Sequence, residues 1–217
     1  MFSLSRAGRT CLLLGPLGGL ASVLIARTES LDVADLAAAF TGQPVLTHLG
    51  YAVNAVGTVL MAAGVLWLAW RAYDHSRRLA VIGGILGFIG LFSVTVDDAV
   101  HLSGSLVVSG MTPAQAALIL HRLTTGGIVL AGVLSELLDV GMILLAIAVL
   151  RLGVQRWASA LVALGAVVEA IGFAAGSRYL AAVGFALTFA GLAAVVRMTL
   201  GSAPATPRRA PAGMQPA

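Results

Sequence analysis

Apolar residues fill six long stretches separated by short segments rich in arginine, glycine or proline. The stretches are drawn at 10–26, 46–70, 79–107, 126–150, 158–176 and 179–199. A helix needs about 20 such residues to cross a hydrocarbon core of roughly 30 Å. The runs are continuous, whereas strands of a membrane barrel alternate over about ten residues. The pattern therefore predicts an all-α, polytopic membrane helical bundle with six transmembrane helices. Two shorter helices are expected at the outer surface. Ser30 to Phe40 has its acids early and Leu31, Val33, Leu36 and Phe40 on one side, while Met111 to Leu123 has Thr112-Pro113 as its start. One transmembrane domain is expected over 1–200, followed by a disordered Pro/Ala-rich cytoplasmic tail over 201–217.

Arginine placement orients the bundle. Arg6 and Arg9 precede the first run, Arg71, Arg77 and Arg78 separate the second and third, Arg151 and Arg156 separate the fourth and fifth, and Arg197, Arg208 and Arg209 follow the sixth. The alternate connections hold only Arg27 beside Glu29, Asp32 and Asp35, then Arg122, then Arg178. Cytoplasmic loops carry the excess of basic residues, so both termini are expected in the cytoplasm of a multi-pass plasma-membrane protein. Trp67, Trp70 and Trp157 then fall at the inner boundary, where an aromatic belt belongs. The first run could serve as a secretory signal, but no small-x-small cleavage site precedes Arg27 and its loss would break the even count of spans. It is expected to be retained.

Composition removes several functions. All 13 basic residues are arginine, which excludes a lysine Schiff base and with it a retinal protein. Cys11 is the only cysteine, so no disulfide forms within the chain and no dithiol redox centre exists. The formal charge of +4 is read as membrane topology, not as a nucleic-acid surface. The bilayer and a hydrophobic small molecule are the expected partners, with a homodimer as a further option and no cofactor or metal required.

The chemistry-bearing residues lie where they are least expected. Five of nine carboxylates, Asp97, Asp98, Glu136, Asp139 and Glu169, sit inside the apolar runs. An acid at the centre of a helix in lipid costs at least about 2.5–3.5 kcal/mol unless paired or hydrated. Helical rise places Glu169 about 20 Å from Arg156, Asp139 and Glu136 about 18 and 22 Å from Arg151, and Asp97 and Asp98 about 28–30 Å from Arg78. On the second run, Asn54, Tyr51 and His48 reach about 25, 30 and 34 Å from Arg71. Polar groups of four helices thus gather in the outer half, above an aliphatic inner half. Spacing puts Ser93, Asp97 and His101 on one stripe, Gly132, Glu136 and Asp139 on another, and Gly165, Glu169 and Gly172 on a third. A polar pocket opening outward or laterally, floored by Glu136, Asp139 and Glu169, is expected.

Structural roles compete with functional ones. Asp97-Asp98-x-x-His101 could be a boundary cap with a hydrated Asp98 and an Asp97–His101 pair, and Glu169 could be neutral and bonded to a backbone carbonyl. His121 and Arg122 are read as surface decoration, His75 as solvated, and the Phe88/Phe92 and Phe185/Phe189 pairs as core or lipid-facing. The functional reading is acid–base catalysis. A carboxylic acid in a dry pocket keeps its proton near neutral pH, can protonate an olefin, epoxide or enol of a membrane-dissolved chain, and leaves a second acid or water to take a proton later. The candidate catalytic residues are Asp97, Asp98, His101, Glu136, Asp139 and Glu169, with Tyr51, Asn54, Phe92 and Phe173 as substrate contacts. In size, helical content and intramembrane Glu/Asp, the chain resembles the small integral-membrane terpene cyclases of meroterpenoid and indole-terpenoid pathways. That resemblance implies an isoprenoid substrate and aromatic stabilisation of a carbocation by Tyr51, Phe92 and Phe173. The outline is also similar to uncharacterised six-helix bacterial membrane proteins, which implies no activity.

Three further readings stay open. A proton-coupled transporter would use Glu136, Asp139 and Glu169, although no broken helix, internal repeat or mid-membrane base is expected. A metal site could draw on Asp97, His101, Glu136 and His48 or Asp139, and a bis-histidine haem on His48 and His101. A scaffold would use the acids only to lock helix packing.

Overall fold

The computed structural model describes residues 4–26, 33–124 and 127–201. Arg27, Glu29, Asp32 and the Pro/Ala-rich tail beyond Gly201 lie outside the described residues. Within them, all regular structure is helical: α1 (Leu4–Ala26), α2 (Val33–Gly42), α3 (Pro44–Ala72), α4 (Arg77–Val107), α5 (Pro113–Thr124), α6 (Gly127–Ser135), α7 (Leu137–Leu150), α8 (Arg156–Ala174) and α9 (Arg178–Gly201). Six helical spans are long and apolar enough to cross a membrane: α1, α3, α4, the α6–α7 unit from Leu130, α8 and α9.

The spans pack through glycine, as expected where lipid offers helices no hydrophobic drive to associate. In α1, a Cβ on Gly18 would lie 2.7 Å from the Cα of Gly57 in α3, and one on Gly64 would lie 2.4 Å from the Cα of Leu12. In α4, Gly83 and Gly87 face Gly141 of α7, and a Cβ on Gly90 would meet the Leu138 nitrogen at 2.2 Å. Between α8 and α9, Gly165 meets Thr188, Gly172 meets Ala181 and Gly184 meets the backbone of Glu169. Around these seams, Leu12, Val65, Leu68, Met142, Leu145, Val162 and Leu192 form a buried aliphatic core near the arginine-rich end.

The two short helices cap the opposite end. Leu36, Ala37 and Phe40 of α2 pack against Ala116 and Leu120 of α5 and Val108 at the end of α4. Each buries its apolar face on the other. Thr112 caps α5 reciprocally: the Gln115 amide donates to Thr112 Oγ1 at 3.4 Å, and the Thr112 amide donates to Gln115 Oε1 at 3.2 Å.

The fourth span departs from the expected continuous helix. It breaks at a single turn residue, Glu136, between α6 and α7. Three features act there. Ser135 Oγ donates to the Gly132 carbonyl at 2.6 Å, the Val140 amide reaches the Glu136 carbonyl only at 3.3 Å, and Gly90 lets α4 press on the first turn of α7.

Candidate functional site

The half of the bundle away from the arginine-rich end encloses a cavity of about 370 Å³ to which every span contributes. From α4 come Asp97, Asp98 and His101; from the fourth span come Gly132, Ser135, Glu136 and Asp139; from α8 comes Glu169. The six candidate acid–base residues therefore share one cavity. Tyr51 and Asn54 of α3 and Phe173 of α8 also line it. Phe92 does not: it is 65% exposed on the outer surface of α4 and is withdrawn as a substrate contact. Five residues separate it from Asp97, which puts it about 140° further round the helix, on another face.

Two hydrogen-bonded arrangements organise the cavity wall. Asn54 Nδ2 donates to both carboxylate oxygens of Asp98 at 3.0 Å, tying α3 to α4. Asp98 is 2% exposed, so the hydrated boundary position considered from the sequence is not what the fold provides. Its neighbour Asp97 lies 3.3 Å from His101 Nδ1, which also bonds the Asp97 carbonyl at 2.9 Å. The His101 ring stacks on Tyr51 with centroids 5.0 Å apart, and Phe40 meets Tyr51 edge-on at 5.9 Å. Phe40 of the α2–α5 cap, through Tyr51, thus holds the histidine in place. Ser93, on the same stripe of α4, does not line the cavity: its hydroxyl is buried and donates to the Ile89 carbonyl of its own helix.

The third group is less satisfied. Glu169 is buried at 9% exposure, held between Gly165 and Gly172 where α8 and α9 touch backbone to backbone. Among the described residues its carboxyl group has no hydrogen-bond partner, so the expected bond to a backbone carbonyl is not formed. Asp139 is half-buried, and Glu136, at the helix break, is exposed while still lining the cavity. Beneath the acids, Met61, Leu91 and Leu138 form an apolar floor. The acids are therefore placed between an aliphatic base and a polar, aromatic roof.

Sequence reasoning missed several lining residues. Arg178, assigned only to a loop, lines the cavity, and its Nε is buried without a partner while Nη2 donates to Tyr179 at 2.8 Å. The cause is the end of α8. Gly176 at φ +64° lets the Ser177 amide bond the Gly172 carbonyl at 2.8 Å and its own amide bond the Phe173 carbonyl at 3.0 Å, a six-residue reversal that turns Arg178 back. Gly176-Ser177 was the available signal. Phe185, read as core or lipid-facing, also lines the cavity and meets Phe173 edge-on at 6.1 Å.

Other candidates lie elsewhere. His48 bonds the Pro44 carbonyl of its own helix and does not line the cavity, which removes it from the bis-histidine and metal arrangements considered above. Among the described residues no group of three His, Cys, Asp or Glu side chains converges to hold a metal ion. No protein-family model matches the chain, and no curated protein or solved structure matches it.

Proposed function

We propose that the protein is a plasma-membrane enzyme, with both termini cytoplasmic, that performs acid–base chemistry on a lipid-soluble, isoprenoid-like substrate. The observation that supports this reading is the gathering of Asp97, Asp98, Glu136, Asp139 and Glu169, from three spans, around one cavity with an apolar floor. Glu169 supplies a proton to an olefin or epoxide of the bound chain, and Asp139 or Glu136 accepts a proton from a neighbouring carbon as the new double bond forms. No net proton is consumed. Tyr51, Phe173 and Phe185 face the positive charge that develops between the two steps. The Asp97–His101 and Asn54–Asp98 pairs shape the roof and orient the polar end of the substrate. A terpene-cyclase type of reaction fits this division of roles.

A proton-coupled carrier is the second reading, favoured by the helix break at Glu136 and by Arg178 in the cavity wall, features of discontinuous-helix carriers. Proteoliposomes supplied with polyprenyl olefins and epoxides separate the two. The enzyme reading expects turnover by the wild type and a loss of about 100-fold or more in Glu169→Gln and Asp139→Asn, the size of a general acid–base contribution. Full turnover in both amides contradicts it. Proton flux dependent on substrate, without chemical change, establishes the carrier instead.

A further inference from the structure

The carboxylates that the roof does not engage define what the cavity can bind. Asp97 is committed to His101 and Asp98 to Asn54. Glu136, Asp139 and Glu169 remain, and the most buried of them, Glu169, is 91% removed from solvent (9% exposed) and has no hydrogen-bond partner among the described residues. A carboxylate in such surroundings is stabilised by a proton or by a cation brought to it. The single arginine of the cavity, Arg178, is already turned onto the ring of Tyr179, 4.7 Å from its centroid. Arg178 lines the same cavity, but no ion pair joins its guanidinium to Glu136, Asp139 or Glu169 among the described residues.

Two more observations point to an organic cation. Phe173 and Phe185 present an aromatic pair to the same cavity, and aromatic faces attract onium groups. Access is also sideways. α6 packs mainly on α4, while α8 packs on α7 and α9, leaving the outer halves of the fourth and fifth spans without extensive mutual contact. Glu136 on one side and Phe173 on the other, 37% exposed, border that opening.

We propose that the cavity binds a lipophilic cation, an amine or onium group on an apolar body, whose charge rests against Glu169 and Asp139 beside the Phe173–Phe185 pair. The proposal rests on the reading of this cavity as a small-molecule site and adds to the neutral substrate above a cationic guest, held when Glu169 has given up its proton.

Tetraphenylphosphonium and tetraphenylborate have the same shape and opposite charge, which isolates the electrostatic part of binding. Equilibrium dialysis of the purified full-length protein in detergent should show saturable tetraphenylphosphonium binding at about one per chain and no saturable tetraphenylborate binding. Glu169→Gln should weaken the phosphonium by about tenfold or more, and Asp139→Asn by less. Gly132→Trp provides the second variant: Gly132 lines the cavity and a Cβ there meets nothing within 4 Å, so the added ring starts from open space beside the guest and should weaken binding by about tenfold or more. Equal binding of both ions, no binding of either, or unchanged phosphonium affinity in the Gln variant overturns the proposal. Turnover of a neutral isoprenoid without phosphonium inhibition would refute the cation and leave the enzyme standing. Phosphonium binding without any turnover would do the reverse.

Discussion

Replacing Asn54 by leucine removes the only hydrogen-bond donor that the described structure gives to Asp98. The amide reaches both carboxylate oxygens at 3.0 Å, and Asp98 is 2% exposed. Interhelical hydrogen bonds in membrane proteins average about 0.6 kcal/mol and reach about 1.7 kcal/mol. Stranding a buried acceptor adds about 1–3 kcal/mol. The stranding penalty dominates, and Asn54→Leu should cost about 2 kcal/mol. Asp98→Leu removes the acid as well as the bond, and the double variant should then cost less than the two singles together by about 1–2 kcal/mol. Reversible unfolding in mixed micelles, followed by tryptophan fluorescence, measures all three corners of the cycle. A coupling below about 0.3 kcal/mol, the ordinary scatter of independent sites, would show that the α3–α4 tie does not hold the cavity wall.

Gly90→Leu should prevent folding or cost more than about 3 kcal/mol, because its Cβ would sit 2.2 Å from the Leu138 backbone nitrogen; yield of monodisperse protein in detergent reports this. Gly132→Ala should instead raise stability by about 0.5–1 kcal/mol, since it adds helix propensity with open space for the methyl, and thermal melting reads the gain. Phe92→Ala should leave ligand binding and turnover unchanged and alter stability by no more than about 0.5 kcal/mol, in keeping with its outward position. Gly176→Ala should cost about 1–2 kcal/mol through its positive φ and should shift Arg178, seen as altered phosphonium affinity.

Much of the architecture was legible in the chain because lipid imposes one rule: each crossing must be a long apolar helix. The spans and the two short helices follow from that rule and from spacing. The expected convergence of Asp97, Asp98, Glu136, Asp139 and Glu169 on one cavity matches their placement, since an inward face is the inexpensive one for an acid in lipid. What spacing could not carry was rotation and interruption. Phe92 shares a helix with Asp97 but not its face. The break at Glu136 arises from Gly90 of another helix and Ser135 of its own, a tertiary cause with only a faint local sign. Arg178 was counted as topology because its return to the cavity depends on a reversal at Gly176, where one backbone conformation redirects the next helix. Asp98 and Asn54 are 44 residues apart, and nothing local announces that pair.

Proximity of the acids across helices is the claim on which the rest depends. In a chain with Cys11→Ala, paired cysteines at positions 139 and 169 should be joined by a short bis-methanethiosulfonate linker, and cysteines at 139 and 92 should not. Joining of 139 to 92 as readily as to 169, or failure of 139 and 169 to join in folded protein, would show that these carboxylates do not face a common cavity.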